Sequence, residues 1–128
     1  MEFKDKLIKL RKRYSISQSE LAEQVGISRK SVQFYESGER YPRKHTLEKL
    51  AEVLKVSVDY LVTDNEMFIV EAGEVGGLEG QISAERFIHN ATLLFAGGSL
   101  SEDDKDAVMR IVQEIYWDSK GIKDPRKS

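Results

Sequence analysis

Apolar residues in the first half of the chain recur at helical spacing in short runs. In the first run, Phe3, Leu7 and Leu10 are four and three residues apart, which places them on one face of a helix over residues 2–13. Four similar runs follow, separated by Gly, Pro or a Ser that can cap a helix. The pattern therefore predicts five short helices within roughly 60 residues, a set that can bury one compact all-α core.

The second and third runs form a pair of capped helices. Ser17 is followed three residues later by Glu20, which is the spacing of a capping box, and Gly26 can end that helix. Ser28 can cap the next helix, which Gly38 can end. This spacing is typical of a helix-turn-helix, whose second helix enters the major groove of double-stranded DNA with its amino end first.

The second helix of the pair presents side chains suited to reading bases. They are hydrogen-bond donors and one apolar wedge, namely Ser28, Arg29, Lys30, Gln33 and Phe34. Arg and Lys match guanine O6 and N7, and Gln33 can pair with adenine or hold a phosphate. Ser17 and Gln18 open the first helix of the pair, where backbone amides and the helix dipole favour a phosphate. For an isolated helix, a solvated polar face would be the simpler interpretation, but the helix-turn-helix frame favours DNA contact.

The pattern changes after residue 63. Residues 64–82 are predicted to form a linker or a short helix, with a loop or hinge over residues 73–82 because four glycines lie there. Apolar spacing predicts two further helices, over residues 83–96 and 101–120, before a frayed tail at 121–128.

Two amphipathic helices bury little surface by themselves, so we expect the region 83–120 to pack on a second copy of the chain or on the first domain. The apolar residues expected at a dimer interface are Phe87, Ala91, Leu94, Phe95, Val108, Ile111, Val112, Ile115 and Tyr116. An aromatic ligand pocket is the alternative role for the aromatic members of this set.

Charge divides the chain at the same place. Residues 1–63 hold 13 Lys/Arg and 9 Asp/Glu, whereas residues 64–128 hold 7 Lys/Arg and 13 Asp/Glu. A basic half attracts a polyanion and an acidic half is repelled by one. The asymmetry indicates a binding module followed by a module that faces away from the bound polyanion.

Composition excludes several classes of function. The 128 residues include no cysteine, which excludes disulfides, thiol catalysis and Cys-ligated metals. His45 and His89 are far apart, and the acids at 102–106 lack the spacing of a calcium loop, so we expect no metal and no cofactor. No nucleophile–base pair or phosphate loop indicates an enzyme. With no long apolar run and no signal-peptide pattern in residues 1–13, we expect a cytoplasmic protein without a membrane partner.

Over residues 3–62 the sequence resembles a known family, the phage-repressor, Cro-like (XRE) helix-turn-helix proteins. The matching segment reads SQSELAEQVGISRKSVQFYESGERYPRKHTLEKLAEVLKVSVDYL. The resemblance implies a lambda-repressor-like domain of five helices at 1–63 that binds double-stranded DNA, as a homodimer on a palindromic operator. It places base contacts on Ser28, Arg29, Lys30 and Phe34. It places phosphate contacts on Gln18, Ser37, Arg40 and Arg43.

The resemblance also implies an ion pair between Arg11 and Glu36 inside the domain. An acid near the end of a DNA-facing helix would repel phosphate unless it were neutralised, so Glu36 is interpreted as structural. Phe34 stands where relatives often carry a polar base reader, so it either contacts a thymine methyl group or packs the loop. Glu39 departs from the pattern as well, because a carboxylate is a poor partner for a phosphate.

The later segment LFAGGSLSEDDKDAVMRIVQEIYW is similar to the tail of some such regulators from Gram-positive bacteria, which implies a small helical oligomerisation or effector region. The function expected from the whole chain is that of a dimeric DNA-binding repressor. The alternative is an antitoxin or anti-repressor type of module whose C-terminal half binds another protein. The sequence assigns neither an operator nor a small-molecule effector.

Overall fold

The computed structural model describes residues 1–126, and within them it contains α-helices and no strand. The all-α fold expected from the sequence is thus confirmed. The helices are α1 (Phe3–Arg13), α2 (Gln18–Val25), α3 (Arg29–Ser37), α4 (Lys44–Leu54), α5 (Val58–Leu61), α6 (Asp64–Leu94) and α7 (Glu102–Ser119). The chain divides into two compact units, one from Met1 to Gln81 and one that starts at Ile82.

Capping residues set the ends of α2 and α3 where the sequence predicts them. The hydroxyl of Ser17 accepts a hydrogen bond from the Glu20 amide at 3.0 Å, and the Glu20 carboxylate accepts one from the Ser17 amide at 3.1 Å. This reciprocal pair is the predicted capping box. Gly26 ends α2 with φ of 83°, a left-handed conformation that favours glycine. Both ends of α2 are therefore fixed by local contacts of the predicted residues.

The core of the first unit is built from the apolar faces of α1 to α5, joined by Val70 of α6. Val32 of α3 is fully buried in it, which anchors that helix on its inner side. The other buried members include Phe3, Leu7, Leu10, Leu21, Ala22, Val25, Leu47, Leu50, Ala51, Leu54 and Leu61. Each fully buried Leu contributes about 1.5–3 kcal/mol relative to an exposed one, so this core is the main source of the unit's stability.

Residues 64–82 are expected to be a linker or a short helix with a loop or hinge over 73–82, and in the structure α6 runs through all of them with a single break. Only Gly77 leaves the helical conformation, with φ of 66° and ψ of −151°. A side chain at Gly80 would overlap the carbonyl oxygen of Ala72, and a Cβ at Gly73 would lie 2.7 Å from the Gln81 amide nitrogen. These glycines permit close packing of the two arms of α6, the first arm before Gly77 (residues 64–76) and the second arm after it (residues 78–94). The first unit consequently extends to residue 81, beyond the boundary expected at 63.

The second unit holds the end of α6, α7 and the segment after it. Tyr116 packs its ring 5.1 Å from that of Phe87 and edge-on to Trp117, which is 1% exposed. After α7, Arg126 donates to the Gln113 side chain at 2.7 Å and to the buried carboxylate of Asp124. The predicted frayed tail therefore has fixed contacts as far as residue 126, and residues 127 and 128 lie outside the described part.

Among residues 1–126, no helix combines the length and the apolar character that crossing a bilayer requires.

Candidate nucleic-acid interface

The outer face of α3 carries the side chains that the sequence assigns to base contacts. Ser28 caps the helix by accepting the Ser31 amide at 3.0 Å, and Arg29, Lys30 and Gln33 are all exposed. Val32 points the opposite way into the core. The helix therefore presents one polar, basic face to solvent, beginning at its amino end.

Phe34 is half-buried between two cations. The guanidinium carbon of Arg40 lies 4.4 Å from the centre of the Phe34 ring, and Nζ of Lys30 lies 5.7 Å from it. Both are within the range of a cation–π interaction. Of the two roles considered for Phe34, this geometry favours packing, in which the ring supports the two basic side chains.

Arg11 and Glu36 form a two-point ion pair beneath this face. Nε of Arg11 donates to Oε2 of Glu36 at 2.7 Å, and Nη2 donates to Oε1 at 3.1 Å. The hydrogen bond to Glu36 raises the pKa of Arg11, an effect that burial partly opposes. Gln18, expected at a phosphate, donates its amide to Oε1 of the same Glu36 at 3.0 Å. The pair thus neutralises Glu36 and orients the amide of Gln18.

The loop between α3 and α4 holds the remaining residues expected at phosphates. Arg40 and Arg43 are exposed. The hydroxyl of Ser37, in contrast, lies 3.1 Å from the Phe34 carbonyl oxygen and 3.1 Å from the Glu39 carboxylate. Because a carboxylate at this distance repels a phosphate, the geometry favours the two arginines over Ser37.

Three residues of the segment 64–81 contact this loop or the start of α4, and the sequence interpretation missed all of them. The side chain of Gln81 accepts from the Tyr41 amide at 3.1 Å and donates to the Tyr41 carbonyl oxygen at 2.9 Å. Glu66 accepts from the Tyr41 hydroxyl at 3.1 Å and from the Phe3 amide at 2.7 Å. Both Gln81 and Glu66 are buried, so the backbone of the loop is fixed from below.

Glu74 is the third residue, and it lies at the surface. Its Oε1 accepts a hydrogen bond from the Lys44 amide, the first residue of α4. Its Oε2 lies 3.6 Å from Nη1 of Arg43. One expected phosphate contact is therefore already paired with an acid.

Sequence patterns hold a signal for one of these three residues. Thr63 and Glu66 have capping-box spacing, and they exchange hydrogen bonds at 3.0 and 3.1 Å. That spacing marks the start of α6 and the place of Glu66 in it. Glu74 and Gln81 reach residues 30 and 40 positions away, for which the sequence has no local signal.

A cavity of about 230 Å³ lies between α3, the loop and the start of the second arm of α6. Its lining includes Tyr35, Arg40, Arg43 and Gln81. Burial raises the pKa of Tyr35, and the nearby Arg40 offsets only part of that rise. The two arginines give the cavity a positive lining beside the exposed face of α3.

Comparison with known proteins identifies a helix-turn-helix in the first unit. A family model described as helix-turn-helix matches residues 7–61. The chain is 34% identical over 74 residues to the HTH-type transcriptional activator BcrR of Enterococcus faecalis, covering 58% of this chain and 36% of the relative. It is 39% identical over 61 residues to the cryptic phage CTXphi transcriptional repressor RstR of Vibrio cholerae, covering 48% and 54% respectively.

A third relative is matched over most of its length. The chain is 30% identical over 103 residues to YonR, an SPbeta prophage-derived HTH-type transcriptional regulator of Bacillus subtilis, covering 79% of this chain and 83% of YonR. The first two relatives are matched over about a third and about half of their own length.

Proposed function

The chain belongs to the phage-repressor, Cro-like helix-turn-helix transcriptional regulators, and from that premise we propose that it is a homodimeric repressor that reads a palindromic operator with α3. The observation that carries the proposal is the exposed polar face formed by Ser28, Arg29, Lys30 and Gln33. Glu36, the acid on this helix, is neutralised by Arg11. The face of α3 therefore offers hydrogen-bond donors and cations to the base edges in the major groove of DNA and to the phosphates beside it.

The backbone contacts follow from the elements on either side of α3. We assign phosphates to the amino end of α2 with Ser17 and Gln18, and to Arg40 and Arg43 in the loop. Phe34 supports Arg40 from below. These contacts would fix the register in which Arg29 and Lys30 meet the base edges.

Pairing of two chains is part of the proposal because one helix reads too few base pairs for useful specificity. The second unit exposes large apolar side chains, with Leu94 82% exposed, Ile111 57% and Ile115 56%. Ala91 and Tyr116, also expected at the interface, are buried within the chain itself. We therefore assign the dimer contact to Leu94, Ile111 and Ile115, while the acidic character of this half keeps it away from DNA.

Repression needs only that the bound dimer occupies the operator. The sign of regulation has its own test, because RstR is named a repressor and BcrR an activator. A reporter promoter that carries the operator would lose expression when the protein is supplied. A rise in expression would overturn the assignment as a repressor.

Two measurements test the proposal. The full chain is used to select bound sequences from a random duplex library, and the molecular mass of the protein–DNA complex is measured. We expect a palindrome whose half-sites are about one helical turn apart, bound by two chains. The proposal would be overturned if the selected sequences shared no motif and the binding affinity fell steeply with salt. If the protein were also a monomer, the result would favour the alternative function, a protein-interaction module that uses the exposed apolar side chains of the second unit as its contact surface.

A further inference from the structure

An acid of the chain's own occupies a place suited to a phosphate. Glu74 accepts the amide hydrogen of Lys44 at the amino end of α4, and its other carboxylate oxygen lies 3.6 Å from the Arg43 guanidinium. A free amide at a helix amino end and an arginine are the donors that proteins use to bind a phosphate. The carboxylate of Glu74 therefore takes the position that an oxygen pair of a DNA phosphate would fill.

We propose that Glu74 competes with a DNA phosphate for Arg43 and the Lys44 amide, and so sets the affinity of the chain for DNA. The inference rests on the proposed function, because it requires the loop between α3 and α4 to lie against the DNA backbone. On this account DNA binding exchanges an internal carboxylate for an external phosphate at the same donors.

The contact of Glu74 is placed where it can be exchanged. The side chain of Glu74 is 39% exposed and that of Arg43 is 52% exposed. An ion pair at this exposure contributes little to stability because water screens it, so a phosphate can displace it. The cost of displacement is small but it recurs in each protomer.

The loop itself does not depend on Glu74 for its position. Gln81 and Glu66 are both buried, and they hold Tyr41 by its backbone and its hydroxyl. When Glu74 leaves, Arg43 and the Lys44 amide remain in place for the incoming phosphate. This separation lets Glu74 act on affinity without setting the fold of the interface.

Glu79 provides a matched control for the charge of Glu74. It is an exposed acid in the same segment, and Glu79→Gln removes the same charge. The experiment measures binding of wild type, E74Q, E79Q, R43A and R43A/E74Q in the full chain by fluorescence anisotropy. Two duplexes are used, the selected operator and a scrambled sequence of the same length, at low and at physiological salt. The melting temperature of each variant is recorded beside its affinity.

The expected result is a gain of affinity, which loss of folding cannot produce. E74Q should bind both duplexes about two- to fivefold more tightly than E79Q at low salt. In the R43A background, the advantage of the Glu74→Gln change should shrink, because one of the two donors that Glu74 holds is gone. R43A alone should bind both duplexes more weakly.

Equal affinities of E74Q and E79Q would overturn the inference, as would a loss of affinity in E74Q, which would make Glu74 a support for the loop. An unchanged affinity of R43A would overturn it too, since Arg43 would then meet no phosphate. The scrambled duplex separates this test from the proposed function. If no variant prefers the operator, the proposed function fails, while the order of E74Q and E79Q on the scrambled duplex still decides the role of Glu74.

Discussion

Arg11 at the end of α1 and Glu36 near the end of α3 are joined by two hydrogen bonds of 2.7 and 3.1 Å. Their side chains are 14% and 7% exposed, so the pair is nearly sealed from water. It connects the first helix of the domain to the helix expected in the major groove. The acid that would repel DNA is thereby turned into a structural tie.

Replacing Arg11 by Ala should lower the free energy of unfolding by about 3–5 kcal/mol, because it leaves the Glu36 carboxylate buried without its cation. Urea denaturation measures the change, with Arg13→Ala as the control at an exposed position of the same helix. The Arg13 variant should stay within about 0.5 kcal/mol of wild type. Equal stabilities of the two variants would contradict the structural role of the pair.

Arg29→Ala tests the register of α3 in the groove. We expect specific binding to weaken by about 1–3 kcal/mol and the preference at one base position to relax. The measurement compares operator duplexes substituted one position at a time. Lys49→Ala, an exposed cation on α4, serves as the control and should leave the preference unchanged. If Arg29→Ala weakened all duplexes alike, Arg29 would contact phosphate and not a base.

A double-mutant cycle decides between the two roles of Phe34. If the ring supports Arg40, Phe34→Leu should weaken DNA binding. In the Arg40→Ala background the loss of binding free energy caused by Phe34→Leu should be smaller by about 0.5–1 kcal/mol. If the ring instead contacted a thymine methyl group, its effect would persist without Arg40 and would depend on one T in the operator. Anisotropy titrations on matched T and U duplexes separate the two results.

The sequence predicts α1 to α5 well, and the reason is local. Ser17 and Glu20 form the capping box at residue separation three, and Gly26 ends α2 through its own backbone conformation. Signals of this kind need no knowledge of distant parts of the chain. The ends of α2 and α3 were therefore predictable residue by residue.

The side chains that position the loop were not predictable in the same way. Gln81 is 40 residues from the Tyr41 backbone that it pairs with, and nothing in its neighbourhood distinguishes it from a solvent-exposed Gln. The glycines before it have the composition of a loop, but Gly80 is needed because the Ala72 carbonyl oxygen approaches it. The presence of a glycine in the sequence does not show whether a turn or close packing requires a residue without a side chain.

The exposed apolar residues of the second unit make the dimer testable. Ile111→Ser together with Ile115→Ser should raise the dimer dissociation constant by about a hundredfold or more, since each Ile contributes about 1.5–3 kcal/mol when buried. Sedimentation velocity measures the change. The control is Val75→Ser, because Val75 is 50% exposed but lies in the first unit. A dimer as tight as that of wild type would place the interface elsewhere.

Two glycines in the first arm and the second arm of α6 differ in what surrounds them. At Gly80 a methyl group would overlap the Ala72 carbonyl oxygen, whereas at Gly76 nothing lies within 4 Å of the Cβ position. Gly80→Ala should therefore destabilise the chain by about 1–3 kcal/mol through overpacking. Gly76→Ala should stabilise it by about 0.5–1 kcal/mol, because alanine favours the helix.

Urea denaturation of the two variants checks this pair, and DNA affinity adds a second readout. Because Gly80 lies next to Gln81, overpacking there should also disturb the bonds to Tyr41 and weaken operator binding, while Gly76→Ala should leave it unchanged. Similar effects of both substitutions on stability would show that the two arms do not pack closely at Gly80. The glycines would then act as the hinge that their composition predicts.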